Sequence, residues 1–246
     1  MWEMEFRLNF FLWAGIDFVW FGLSWFTAQL IFGQVNSIAG WPKDKVLLLV
    51  ISVGLFNDFL WAFLMPNLDN FSRLIRHGEL DLFLTKPVKT RFLVSTRYVE
   101  FDHFLRVVFL VIFLKRFLSG MGVVVGLTNW LGFGVLFLLG FVAFYNLMFM
   151  AVVTNIWFIR LFNINELFES LVGIGRYPTE IFKGRLRFFL TFIIPTAFVA
   201  VLPVKALLGD LSLVYLFYGA LVVVFTTVIS QWFWHFALKH YTSASS

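Results

Sequence analysis

Cysteine, charge and long polar stretches are what this sequence has least of. None of its 246 residues is a cysteine, which excludes disulfides, thiol catalysis and cysteine-ligated metal sites. Charged residues make up 13% of the chain, against a usual share of about a quarter. Because 61% of the residues are hydrophobic, there is no room for a sizeable soluble domain. We therefore predict an integral membrane protein.

Catalytic signatures are also missing from the sequence. It contains no Walker A sequence, no His-Glu-x-x-His and no Gly-x-Ser-x-Gly. The 4 histidines are scattered without the spacing of metal ligands, so no metal site is expected. We expect a chain that is not an enzyme and carries no cofactor of its own. The net charge of +5 lies in short loops, which favours anionic lipid headgroups over nucleic acid as its counterpart.

Long apolar runs fill most of the chain, and a helical run of about 20 residues can cross a membrane core of about 30 Å. Hydropathy predicts spans at about 10–32, 46–65, 99–118, 129–157 and 211–236. The third run is the least clean, because it contains Arg106, Lys115 and Arg116. Aromatic residues make up 21% of the chain, which suits surfaces in contact with lipid.

A polar segment at residues 66–98 separates the second and third runs. Six Lys/Arg and four Asp/Glu lie between Pro66 and Glu100, more than in any other loop. The positive-inside rule therefore places this segment, and with it the amino terminus, in the cytoplasm. The first residues lack a short apolar core with a small-residue cleavage site, so we expect no removable signal peptide.

The first part of the polar segment predicts a short amphipathic helix. Asn67 or Asp69 can cap its amino end, and Gly78 can take the left-handed conformation just past its carboxyl end. The apolar positions Leu68, Phe71 and Ile75 share one face. A helix of about ten residues is marginal alone, so it must dock on another surface.

Residues 160–209 allow two interpretations. Hydropathy alone makes Phe188–Leu208 the fifth span, preceded by a basic loop in the cytoplasm. Pro195 and Pro203 lie inside that run, and each removes a backbone donor. This favours a broken segment over a regular span.

The string NLDNFSRLIRHGELDLFLTKPV, from Asn67 to Val88, resembles a segment of a known family. It is similar to the region between spans two and three in the permease subunits of type-2 ATP-binding-cassette (ABC) exporters, in the group with an IRxGELDxxLxKP signature. A second match lies at Arg176–Phe182, followed by Pro195 and Leu202–Gly209. The resemblance covers nearly the whole chain and implies one all-α membrane domain, residues 1–246, with six spans.

In that family the helix after span two, called the coupling helix, docks in a cleft of a partner ATPase. It passes the ATP-driven closure of the ATPase to the spans. For this sequence the resemblance implies an apolar knob of Phe71, Leu74 and Ile75, a polar rim of Arg73, Arg76 and Glu79, and a turn held by Asp81 and Lys86. The alternative is a solvated loop helix.

The resemblance favours one of the two interpretations of residues 160–209. It implies a fifth span at about 164–177, followed by an external re-entrant helical segment at 178–209. Pro178, Pro195 and Pro203 mark that segment. Both interpretations give six spans and place both termini in the cytoplasm.

The partners expected from the resemblance are two ABC ATPase subunits, which would hold ATP and Mg, and a second permease, of the same or a sister chain. The expected location is the cytoplasmic (inner) membrane of a prokaryote. Phenylalanine-rich spans favour an amphipathic or lipid-like cargo, although they also suit plain contact with membrane lipid.

Three ionisable residues lie inside predicted spans, namely Asp17, Asp58 and Arg106. Each is about eight residues, or roughly 12 Å, from the cytoplasmic boundary. Lone charges at that depth need partners or water. They form either a polar lining for a substrate entrance or a structural cluster that locks three helices. A secondary transporter that uses Asp17 and Asp58 as ion carriers is the alternative function, but the sequence shows no inverted repeat.

Overall fold

The computed structural model describes residues 7–158 and 164–241, except for the side chains of residues 7–14, 17 and 192. The described part is almost entirely helical. Its α-helices are α1 (Arg7–Phe32), α2 (Lys43–Phe63), α3 (Met65–Arg76), α4 (Asp81–Leu84), α5 (Thr90–Ser95), α6 (Phe101–Gly120), α7 (Leu127–Val153), α8 (Ile164–Ile174), α9 (Gly184–Phe188), α10 (Val201–Leu207) and α11 (Leu213–Leu238). Two short strands, β1 (Ser37–Ile38) and β2 (Trp41–Pro42), pair antiparallel between α1 and α2.

Shorter turns of other helix types complete the described part. Three 3₁₀-helices lie at Thr154–Ile156, Thr179–Ile181 and Thr196–Phe198, and a π-helical turn lies at Phe189–Ile193. The five longest helices coincide with the predicted apolar runs to within a few residues at each end. The amino-terminal residues 1–6 are outside the described residues.

Helix α2 is the centre of the bundle. It is apolar on all sides, as a helix buried on all sides must be, and its side chains Leu48, Ile51, Phe56 and Leu60 are fully buried. It packs mainly on α6 and α1, and also touches α3, α8 and α10. Movement of α2 would therefore be felt by most of the bundle.

The two ends of the bundle can be told apart by what lies there. We call one of them the α3 end, because α2 ends there, α6 begins there and α7 ends there. Two hydrogen bonds join these helix ends: Glu100 N–H donates to Ala62 O at 3.0 Å, and the Asn155 side chain donates to Ser72 Oγ at 3.0 Å. At the other end, here the hairpin end, lie β1 and β2 and the first turns of α2.

Within the described residues, three helices are long and apolar enough to cross a membrane, namely α2, α7 extended to Ile156, and α11. The pair Gly184–Thr191 and Thr196–Leu207 counts as a fourth if it is one span, but it bends by 59°. Helix α1 has 26 residues and α6 has 20, so both are long enough, while charges lower the hydropathy of α6. Helix α8 has 11 residues, which at 1.5 Å each cover about half of a bilayer core.

The outer surface of the bundle is apolar, as contact with lipid requires. On α11 the exposed side chains include Val224, Phe225, Val228 and Trp232. Comparable exposed apolar side chains lie on α1, α6 and α7. The described helices therefore form a membrane-embedded bundle, and the count of six spans stays a prediction.

Candidate functional site

The predicted amphipathic helix exists as α3, but it begins earlier than expected. It starts at Met65, one residue after α2, with Pro66 in its first turn, and no side chain caps it. The prediction that Asn67 or Asp69 caps this end is therefore wrong. The helix simply continues from α2 through Leu64, so no separate start signal is needed.

Asn67 instead joins two distant parts of the chain. Its fully buried amide donates to Phe63 O at 2.8 Å and to Tyr98 O at 2.7 Å. Its side-chain oxygen accepts the backbone N–H groups of Arg97 and Tyr98, both at 2.8 Å. These four hydrogen bonds fix the junction of α2 and α3 to the chain that leads into α6.

The carboxyl end of α3 is formed as predicted. Gly78 has a φ of +68°, which only glycine adopts cheaply, and Glu79 N–H donates to Leu74 O at 2.9 Å. The side chains of Arg73 and Glu79 lie 3.7 Å apart across this turn. Both are about half exposed, so the pair adds little stability.

The apolar face of α3 packs on the bundle and not outward. Phe71 is fully buried, with its ring stacked on Phe149 of α7 and edge-on to Trp234 of α11. Leu74 and Ile75 are buried as well. The prediction that Phe71, Leu74 and Ile75 form a knob for a partner ATPase is therefore wrong. The helix docks on α7 and α11 of its own chain. The amphipathic pattern shows that a face is apolar, but not which surface covers it.

The residues that do face outward at the α3 end belong to α3 and to the segment after it. Arg73, Arg76 and His77 are exposed on α3, and Asp69 is held at 2.8 Å by Asn165 of the α8 start. Beyond the Gly78 turn, Leu82 is 66% exposed, and Leu84 and Val88 are also exposed. Lys86 lies over the Phe83 ring at 4.8 Å. We call this the coupling surface: Arg73, Arg76, His77, Leu82, Leu84, Lys86 and Val88. Of the other predicted contact residues, Glu79 and Asp81 are half-buried at its edge.

A groove of about 1280 Å³ runs along α2 between α1, α6 and α8. Toward the hairpin end its wall is apolar, with Ile31, Ile38, Val46 and Val50. Toward the α3 end it is polar, with Asn57, Glu100, Asp102, His103, Arg106 and Glu169. The groove thus presents a long apolar wall that ends in a cluster of charged and polar groups.

Two of the three predicted intramembrane charges meet at the polar end of this groove. Arg106 Nη2 lies 2.8 Å from Asp58 Oδ1, and the Asp58 side chain is fully buried. His103 Nδ1 is 3.5 Å from the same oxygen, and its ring stacks on Trp61. The side chain of Asp17 lies outside the described residues. Arg106 lines the groove and Asp58 does not, which favours a structural lock for the carboxylate.

The segment after α8 enters the bundle and returns to the same end. Glu180, near the start of the segment, lies 3.2 Å from Lys205, near its finish. Lys205 lies over the ring of Trp41 in the hairpin, at 5.8 Å. Burial alone would raise the pKa of Glu180, but its backbone hydrogen bond and the charge of Lys205 lower it, so the net pKa is below the usual value.

Phe198 follows the bend at Pro195 and contacts two other helices. It is buried between Gly140 of α7 and Gly219 of α11. A Cβ built on Gly140 would lie 2.8 Å from Phe198 Cβ, and one on Gly219 would lie 2.7 Å from the Phe198 ring. Pro203 is buried in the first turn of α10, where its missing N–H costs nothing, and Pro178 precedes a 3₁₀ turn.

A polar network that the sequence reasoning missed joins α5 to α7 and α11. Arg91 donates from Nε to Tyr145 Oη at 3.1 Å, from Nη1 to Gln231 at 3.0 Å and from Nη2 to Asn146 at 2.6 Å. Ser95 lies 2.8 Å from Tyr145 Oη, and Asn146 donates to Thr227 at 2.9 Å. Its signal was available: Asn146, Thr227 and Gln231 are polar residues in otherwise apolar runs, and such residues need partners.

The described residues thus form a membrane-embedded helical bundle with a groove along its central helix and a basic surface at one end. The family model of ABC-2 family transporter proteins matches residues 18–245, and the chain belongs to that family. It is therefore an ABC permease subunit, a transport subunit that is not itself catalytic, in a family that works with ATPase partners. Comparison with curated proteins and with solved structures gave no match.

Proposed function

We propose that this chain is the permease of an ATP-driven exporter in the cytoplasmic membrane of a prokaryote. Six spans, formed by α1, α2, α6, α7, the α8 region and α11, would place both termini and the α3 end in the cytoplasm. The coupling surface supports this orientation, because it gathers exposed cations at one end of the bundle.

The observation that carries the proposal is how the coupling surface is attached to the spans. Helix α3 follows α2 after a single residue, and Asn67 ties that junction to the start of α6. Phe71 and Arg91 join the same region to α7 and α11. Force applied to this surface would therefore reach four spans through buried contacts.

The partner at this surface would be an ATPase subunit, with two such subunits holding ATP and Mg beneath two permeases. Leu82, Leu84 and Val88 supply exposed apolar anchors, and Arg73 and Arg76 supply a basic rim. This arrangement of anchors inside a polar rim is typical of protein interfaces. The coupling function thus stays with the polar segment, but moves from the apolar face of α3 to its outer face and to α4.

The groove along α2 is the part of this chain that fits a transport path. Its apolar wall and polar end suit an amphipathic or lipid-like cargo. A second permease, of the same or a sister chain, would close the open side. The segment at 178–209 would be an external re-entrant cap, supported by the Glu180–Lys205 pair, because both of its ends lie at the hairpin end.

A secondary transporter that uses Asp17 and Asp58 as ion carriers is less well supported. Asp58 is held by Arg106 at 2.8 Å in a fully buried position and does not line the groove. An ion carrier must bind and release its ion from a path that solvent reaches, so a buried and paired carboxylate does not meet this need.

Co-purification with the ATPase tests the proposal. The chain is isolated from its own cells in mild detergent, and ATP hydrolysis is measured in the eluate. Leu82→Asp should remove the ATPase and its activity, because it places a charge among the apolar anchors. Val124→Asp is the matched control, since Val124 is 96% exposed at the hairpin end. Equal ATPase recovery in both variants would contradict the assignment of the coupling surface.

A further inference from the structure

A second cavity, of about 760 Å³, opens between α5, α7 and α11 on the side of the bundle away from the groove. Its polar lining includes the cations Lys89 and Arg91 together with Gln231 and His235, and no acidic residue of the described chain lines it. Phe141, Val142 and Trp234 form its apolar part. We propose that this cavity binds the phosphate headgroup of an anionic membrane lipid, with an acyl chain along its apolar part.

The charge of Arg91 argues for an anionic occupant. Its three hydrogen-bond partners in the network are all neutral. Within the described residues, no carboxylate lies within ion-pair distance of its guanidinium. A half-buried cation beside the membrane core is costly without a counter-charge. A phosphate in the cavity would supply that charge.

The geometry of Arg91 leaves donors for such a ligand. A guanidinium has five N–H groups in a planar fork, and the network uses three of them. The rings of Tyr145 and Phe149 lie under it, at 5.1 Å and 4.5 Å, and hold its plane in place. Two N–H groups thus remain for oxygen atoms in the cavity, where paired contacts with phosphate are strong.

The position of the cavity argues for a lipid and against a free anion. Arg91 lies on α5, in the polar segment between α3 and α6, and its guanidinium reaches Tyr145, about eight residues before the end of α7. The cation therefore lies where the polar segment meets the apolar helices. On α11 the lining residues Thr227 and Gln231 are each followed in the chain by an exposed apolar side chain, Val228 and Trp232. A molecule that fills both parts must carry a charged head and an apolar tail.

Lipid retention tests this site without the ATPase, so its failure is separate from that of the proposed exporter function. The permease is purified into neutral detergent with phosphatidylglycerol or phosphatidylcholine, and bound lipid is counted by native mass spectrometry. The wild type should retain phosphatidylglycerol in preference. Arg91→Gln should weaken its apparent affinity roughly fivefold or more, since one basic residue at a membrane surface contributes about that factor. Equal retention of both lipids by the wild type would overturn the proposal.

Matched variants identify the cause. Arg97→Gln should keep the preference, because Arg97 belongs to the same polar segment but stacks on Phe83 and Tyr98 and does not line the cavity. Val142→Trp should reduce retention by filling the apolar part while leaving Arg91 intact, and it serves if Arg91→Gln does not fold. Retention at the wild-type level in both Arg91→Gln and Val142→Trp would refute the site.

A last experiment tests whether the cavity binds a lipid or a free anion. Thermal unfolding of the wild type is followed in phosphatidylcholine with added inorganic phosphate, and in phosphatidylglycerol without it. Phosphatidylglycerol alone should raise the unfolding temperature. If inorganic phosphate produces the whole effect, the site takes a free anion, and the lipid assignment is wrong.

Discussion

The ring of Phe71 on α3 stacks on the ring of Phe149 on α7, with centroids 5.4 Å apart and planes 14° apart. Trp234 of α11 closes the same cluster at 5.7 Å from Phe71. The helix that links the polar segment to the spans is therefore part of the bundle core. Its apolar face is covered by the bundle and is not available to a partner.

This contact leads to a prediction about stability. Phe71→Ala should lower the free energy of unfolding by about 3–5 kcal/mol, because it leaves a cavity among buried rings. Leu82→Ala, at an exposed position of the same segment, should change it by about 0.5 kcal/mol or less. Unfolding in mixed micelles measures both. Equal stability of the two variants would mean that α3 is not part of the core.

For this region the sequence could predict only features set by residues close together in the chain. The end of α3 at Gly78 follows from one residue type and one helix pattern, so it was predicted correctly. The direction of the apolar face depends on what covers it, and Phe149 and Trp234 are 78 and 163 positions away in the chain. The same holds for Arg91, whose partners come from two other helices. Periodicity identifies a face, but only the fold identifies its neighbour.

The pairing of intramembrane charges was accessible from depth alone, because Asp58 and Arg106 lie equally far from one end of their helices. Depth did not predict that His103 also lies beside Asp58, since a single histidine without the spacing of metal ligands indicates no partner. The prediction of a re-entrant course for 178–209 needed the family resemblance, because hydropathy sums the two halves of the bent segment into one span.

The Asp58–Arg106 pair allows a double-mutant cycle. Arg106→Leu should destabilise the protein by about 3–5 kcal/mol, because it leaves a buried carboxylate without its cation. The double variant with Asp58→Leu should be more stable than Arg106→Leu alone. Unfolding of the four proteins gives the coupling energy, expected at about 1–3 kcal/mol. A value near zero would show that the two charges act independently.

The contact of Phe198 with α7 predicts that two glycine-to-alanine substitutions on that helix have opposite effects on stability. Gly140→Ala should destabilise by about 1–3 kcal/mol, because the new methyl group meets the Phe198 backbone oxygen at 2.9 Å. A Cβ built on Gly134 would have no other atom within 4 Å. Gly134→Ala should therefore stabilise the protein by up to about 1 kcal/mol, since alanine favours the helical conformation. Thermal unfolding of the two variants compares them. Similar shifts would contradict the close approach of the bent segment to α7.

The topology of residues 178–209 is open to direct labelling, because the chain contains no cysteine. Lys183 and Arg187 are exposed near the start of the bent segment, which the Glu180–Lys205 pair ties to the hairpin end. In intact cells, Lys183→Cys and Arg187→Cys should react with a membrane-impermeant thiol reagent. Lys86→Cys, on the coupling surface, should react only after the cells are permeabilised.

The reverse pattern would place the coupling surface outside and exclude an ATPase there. Labelling of all three cysteines only after permeabilisation would mean that the bent segment crosses the membrane as a kinked span. In that case the 3.2 Å contact between Glu180 and Lys205 could not exist, because the two ends of a span lie about 30 Å apart. Glu180→Cys with Lys205→Cys then gives an independent check. A short bifunctional thiol reagent should join the two cysteines if the segment returns to its starting end, and it should not join them if the segment crosses.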